Sequence, residues 1–127
     1  MRKLVVILCS LLLAVSCSKE ENLWCNVSIE ASLASGEKLT AITIDSSKDG
    51  NYFRNLNTLE EYKYPTLVNG KGILRVLKGV YVLSFDGIAT LENGSVKRVR
   101  CSEHSMPLSA AVLTGDNETL VLNLVEL

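Results

Sequence analysis

Two kinds of apolar pattern divide the chain. Residues 4–15 run without a charge and are interrupted only by Ser10. After residue 22 the apolar positions recur every second residue instead. Cys25, Val27, Ile29, Ala31 and Leu33 fall on one side of an extended chain, with Asn26, Ser28, Glu30 and Ser32 on the other. Ser35-Gly36 marks a turn, and residues 39–44 read as a second strand whose phase shifts between Leu39-Ala41 and Ile42-Ile44, as at a bulge. Asp49-Gly50-Asn51 is another turn, and residues 52–66 alternate poorly, predicting one short strand inside a long loop. Order returns after Asn69-Gly70 with a strand over 73–77, a tight Lys78-Gly79 turn and a strand over 80–85 that bends at Asp86-Gly87 and continues to Leu91. Asn93-Gly94 is a hairpin signal, followed by strands over 95–101, near Val112-Leu113, and over 119–125, where Leu120, Leu122 and Leu124 share a face. Seven or eight short strands with regular turns predict an all-β domain, an antiparallel two-sheet sandwich of about seven strands.

The uncharged run is of a different kind. Twelve residues are too few for a hydrocarbon core that needs about twenty. Arg2 and Lys3 before it, and the small residues Ala14 and Ser16 at its end, predict a signal peptide over residues 1–16. Ala14-Val15-Ser16-Cys17 resembles the lipobox of bacterial lipoproteins, whose cysteine thiol receives a diacylglycerol before cleavage. The resemblance implies a membrane anchor on Cys17, and two acyl chains suffice for stable attachment. Ordinary cleavage after Ser16 gives the same mature end without the lipid. Ser18, Lys19, Glu20 and Glu21 resemble the short acidic signal that sends lipoproteins to the outer surface in one large group of Gram-negative anaerobes. That implies an outer-membrane protein facing the cell exterior. A solvated tether is the plainer reading of the same charges.

Composition bounds the rest. Of 127 residues, removal of sixteen leaves 111; residues 17–22 form the lipidated cysteine and polar tether, and residues 23–127 one domain. Loss of Arg2 and Lys3 takes the net charge from −1 to −3. This mild acidity argues against nucleic acid, whose binding rests on clustered Lys and Arg.

The strand over Val27–Leu33, the Ser35-Gly36 turn and the strand over Leu39–Ile44, followed by Asn69-Gly70-Lys71-Gly72-Ile73-Leu74-Arg75-Val76-Leu77-Lys78-Gly79-Val80-Tyr81-Val82-Leu83, are similar to prealbumin-like domains of the carboxypeptidase regulatory-like and collagen-adhesin B types. The resemblance implies a Greek-key sandwich in which Gly79 reverses the chain and Tyr81 packs at a sheet edge. It also implies a non-catalytic role as a stalk, an adhesive unit or a binding accessory.

The side chains that do chemistry are few. His104 is the sole histidine and sits in Ser102-Glu103-His104-Ser105, too close in sequence to its serines to form a nucleophile–base–acid array. One histidine gives no structural zinc set, and Asp45, Asp49 and Asp116 match no calcium loop, so no metal or other cofactor is expected. Lys97, Arg98 and Arg100 make a charged strand, either solvated or facing an acidic partner. Tyr52, Phe53, Tyr62 and Tyr64 in the central loop are a candidate binding surface for sugar rings or a protein; packing of the loop onto the domain is the other reading. Cys25 and Cys101 remain after processing, as a candidate disulfide that export permits or as two buried thiols. Two functions follow: a non-catalytic surface lipoprotein that binds a glycan or protein, or an inhibitor or accessory lipoprotein that caps another envelope protein through the central loop.

Overall fold

The computed structural model describes residues 22–127; the expected signal peptide over 1–16, the candidate lipidation site Cys17 and the candidate export signal Ser18, Lys19, Glu20 and Glu21 lie outside the described residues. Alternation in β1 (Trp24–Leu33) turns Cys25, Val27, Ile29, Ala31 and Leu33 inward, every one of them buried. There follow β2 (Leu39–Ile44), β3 (Tyr52–Asn55), β4 (Leu67–Val68), β5 (Lys71–Leu77), β6 (Gly79–Leu91), β7 (Val96–Cys101), β8 (Ala111–Leu113) and β9 (Asn117–Glu126), with a 3-10 turn at Pro107–Ser109. The all-β class stands, and the shift in β2 is a register break between Leu39 and Ala41.

The expected two-sheet sandwich does not form. Strands pair in the order β2-β4-β5-β1-β9-β7-β6, and β6 then pairs with β2, closing seven strands into a barrel. The cause lies in β6, which is 13 residues long. Its C-terminal half holds β7 on one edge, from Phe85↔Cys101 to Thr90↔Val96, and β2 on the other, from Ile44↔Gly87 to Leu39↔Leu91. Gly87 admits the close approach there, since a Cβ would lie 3.1 Å from the Thr43 carbonyl oxygen. The N-terminal half of β6 instead carries β3 and β8. Pairing is not wholly antiparallel either, because β1 and β9 run parallel from Asn26↔Asn117 to Leu33↔Leu124. A parallel pair needs a long connection, and here nearly the whole chain intervenes.

The Lys78-Gly79 corner also departs from expectation. β5 and β6 do not pair; β5 lies between β4 and β1, so the chain crosses the barrel there rather than folding back. Gly79 packs on the Asn55 side chain, where a Cβ would come within 2.7 Å of Nδ2. Tyr81 is fully buried rather than at an edge, and its hydroxyl donates to the Leu77 carbonyl. By contrast β4 and β5 form a true hairpin, with Asn69 (φ 54°) and Gly70 (φ 78°) both left-handed as a tight two-residue turn requires.

Candidate functional site

The central loop folds inward. Phe53 is fully buried and Tyr64 nearly so. Phe53 meets Tyr64 edge-on at 5.8 Å and Tyr81 at 5.1 Å, and Tyr64 meets Phe85 at 4.9 Å. The Tyr64 hydroxyl donates to the Tyr52 and Ser84 carbonyls, and burial holds its phenol far above the usual tyrosine range. Phe53 and Tyr64 therefore belong to the core and are withdrawn from the predicted binding surface, because a large aromatic stabilises more by leaving water than by waiting for a ligand.

Tyr52 and Tyr62 remain half-buried and line a groove of about 540 Å³ between the β2–β3 loop and residues 61–63. Tyr52 is held at its hydroxyl, which donates to the Ser105 carbonyl at 3.2 Å, and at its ring, under the Arg54 guanidinium at 4.8 Å. Arg54 in turn pairs with Glu61 at 3.2 Å. The Tyr62 ring rests on Tyr81 at 6.1 Å while its hydroxyl accepts the Leu77 N–H at 3.2 Å. Lys48, Asp49 and Lys63 complete a rim of both charge signs.

The other wall is built on Asn51, one of two buried polar side chains among the described residues. Its amide donates to the Asp45 carbonyl at 2.9 Å and the Asp86 carbonyl at 3.2 Å, and its Oδ1 accepts the Asp86 N–H at 2.9 Å. Ser46 accepts the Tyr64 N–H at 3.0 Å, and Asp45 accepts from the Ser47 N–H and hydroxyl, which hold its carboxyl below the usual range. A loop that reads as a simple turn is thus fastened to β6 and to the aromatic core. Behind it a second cleft of about 280 Å³ is lined by Lys48, Asp86 and Arg98 among others. Sequence reasoning pointed to this region through Tyr52 and Tyr62 and the turn at Asp49-Gly50-Asn51, but assigned no role to Lys48, Arg54, Lys63 or the Asn51 side chain.

The basic strand is mostly spoken for. Lys97 bonds Glu37 at 2.8 Å and Glu126 at 3.2 Å, and Arg100 makes two bonds to Asp86 at 2.7 and 3.0 Å, which hold the Asp86 carboxyl below its ordinary value. The His104 ring lies against the Ser109 carbonyl at 2.8 Å, while the Ser105 hydroxyl donates to the Ser102 carbonyl. Those bonds tie a connecting segment together and build no nucleophile–base pair. Among the described residues no group of three or more His, Cys, Asp or Glu side chains stands where a metal ion could be held.

Cys25 and Cys101 are fully buried free thiols, so the candidate bond between them is corrected. Register gives the reason. Asn26 lies beside Asn117, which puts Cys25 near Asp116, while Arg100 lies beside Val125, which puts Cys101 near Leu124. Eight residues of β-strand span about 26 Å, and a disulfide needs Cα atoms within about 7 Å. Burial pushes the Cys101 thiol up to about 12 and the Cys25 thiol upward as well, which makes both poor nucleophiles.

No helix among the described residues is long and apolar enough to cross a membrane. Compared with protein families, with curated proteins and with solved structures, the chain finds no match, so the site rests on its own chemistry.

Proposed function

We propose that this chain is a lipid-anchored, non-catalytic binding module of the bacterial outer membrane, facing the cell exterior, whose groove takes a glycan. The observation that carries the reading is the pair Tyr52 and Tyr62, half-exposed in a polar groove beside Arg54, Lys48 and Lys63. Sugar rings present C–H faces that lie on aromatic rings and hydroxyls that exchange bonds with mixed donors and acceptors. The groove walls are fastened to the core, so little ordering is lost on binding. The leader, the lipobox-like tetrad closing at Cys17 and the acidic residues after it support the location.

Retention of the mature domain on a panel of immobilised polysaccharides tests the binding. Tyr52→Ala and Arg54→Ala should each lower retention at least tenfold while the far-ultraviolet spectrum stays that of the parent. Retention that is absent throughout, or indifferent to both substitutions, rejects a glycan groove. Metabolic labelling with a fatty-acid analogue tests the anchor: label on the parent and none on Cys17→Ala is expected, and an unlabelled parent released to the medium rejects it.

A further inference from the structure

The pole of the barrel where the described chain begins exposes apolar side chains that its packing does not use. Leu23 is 61% exposed, Leu59 68% and Trp24 38%. Leu23, Asn55, Asn57 and Thr58 line one hollow of about 300 Å³ together with Leu77 and Lys78, and Leu59 follows Thr58 directly in the chain. The Lys78 N–H donates to the Leu23 carbonyl at 2.8 Å, Trp24 pairs with Leu77, and the Arg75 guanidinium lies 5.2 Å over the indole. Leu59 is held at φ 63°, a left-handed conformation that a bulky side chain rarely adopts. Asn55 fixes that turn: its Oδ1 accepts the Asn57 and Thr58 N–H groups at 2.8 and 3.0 Å, and its carbonyl accepts the Leu59 N–H at 2.8 Å. The turn therefore holds a leucine outward in a backbone conformation that suits asparagine or glycine better.

We infer that this pole is a membrane-contact surface, which seats the barrel on the lipid bilayer in a fixed orientation. The inference rests on the lipid anchor at Cys17 and supplies what that anchor alone does not, a defined face toward the lipid. Five residue steps separate Cys17 from Asn22, at most about 18 Å of extended chain. The tether thus keeps this pole nearest the bilayer. Indole favours the headgroup level, leucine side chains reach below it, and the stacked guanidinium of Arg75 meets phosphate there. Lys78 is already paired with Asp116 at 2.6 Å.

Trp24 is the only tryptophan, so its emission reports on this pole alone. Every strand among the described residues lies within 24–126, so a chain from Cys17 contains the whole barrel. With Cys25 and Cys101 buried, Cys17 is the thiol to couple to a maleimide phospholipid on phosphatidylcholine vesicles. That coupling does not depend on acylation by the cell, so failed fatty-acid labelling in vivo and failed seating of the pole are separate results. On the vesicles, a nitroxide at the headgroup level should quench Trp24 at least twofold more than it does for the uncoupled chain. Leu59→Asn should reduce that quenching while keeping or raising the melting temperature, because asparagine tolerates the left-handed backbone. Equal access of aqueous iodide to Trp24 in coupled and uncoupled chains, or quenching by the nitroxide unchanged in Leu59→Asn, would overturn the inference.

Discussion

Two glycines separate backbone strain from packing. Gly36 and Gly70 have nearly the same left-handed φ, 80° and 78°, yet a Cβ at Gly36 meets nothing within 4 Å while one at Gly70 collides with the Ala31 carbonyl oxygen. Gly36→Ala should cost only the backbone term, about 1–2 kcal/mol. Gly70→Ala adds a clash with main chain that cannot rotate away, for a total of roughly 2–4 kcal/mol. Urea denaturation of the two variants compares them directly, and equal losses would remove the packing argument. Buried ionisable groups set the alkaline limit at the same scale. Burial raises Cys101 from 9.0 and Tyr81 from 10.0, both to about 12. A raised folded pKa of a neutral acid means stability that is whole below the unfolded value and is lost as pH rises through the folded one. The urea midpoint should therefore fall progressively from pH 9 to 12, and Cys101→Ala should flatten the first part of that decline.

At the scale of elements, neighbouring residues of one strand differ in surroundings: Phe53 is buried in the core and Tyr52 lines the groove. Phe53 fills the core from β3, so Phe53→Ala should cost about 3–5 kcal/mol. Tyr52, one residue earlier and half-buried, loses on truncation to Ala its hydroxyl bond, its contact with Arg54 and part of its ring's burial, about 2 kcal/mol in all, and retention on the proposed glycan should be lost with it. Calorimetry of both variants, beside retention on glycan, reads the two roles separately. The β2–β3 loop depends on Asn51 in the same way. Asn51→Ala strands the Asp86 N–H and two carbonyls, a loss of about 2–3 kcal/mol, and it frees one wall of the groove. Amide exchange in the 45–51 loop should accelerate in that variant well before the rest of the domain responds.

For the whole molecule, closure is the property that governs behaviour. A ring of seven paired strands leaves no open edge in the barrel itself, and edges are where pairing with other chains and local opening begin. Outside the ring are β3 and β8, each paired only to the first half of β6 among the strands, and β8 is the shorter at three residues. Its amides should exchange first among the strands, and those of β1, β9 and the second half of β6 last. The thiols report the same cooperativity. Reductant should leave the melting temperature unchanged, and Cys25 and Cys101 should resist alkylation until the barrel unfolds, then react together. Recovery of a Cys25–Cys101 cross-linked peptide from unreduced protein would contradict this.

Local chemistry sufficed for the longer strands and several of their turns, but not for β4 or the Lys78-Gly79 corner. Alternation from Cys25 to Leu33 and from Leu120 to Leu124 is a property of the chain, because a pleated strand turns every second side chain the same way. Asn69-Gly70 specified its hairpin because few residues tolerate left-handed φ. What alternation does not carry is the identity of the neighbour. The inner face of a closed barrel and that of a sandwich read alike, and the choice fell to long-range edge pairing: β2 reaching Gly87 on β6, and β9 joining β1 in parallel. The same limit applied to the site. Tyr52, Phe53, Tyr62 and Tyr64 are equivalent as sequence. Only the packing of Phe53 and Tyr64 against Tyr81 and Phe85 sorted core from groove, since burial depends on atoms brought from distant segments. Cys25 and Cys101 both point inward as their strands predict, yet ladder register placed them at opposite ends of the barrel, and register is decided by the whole ring.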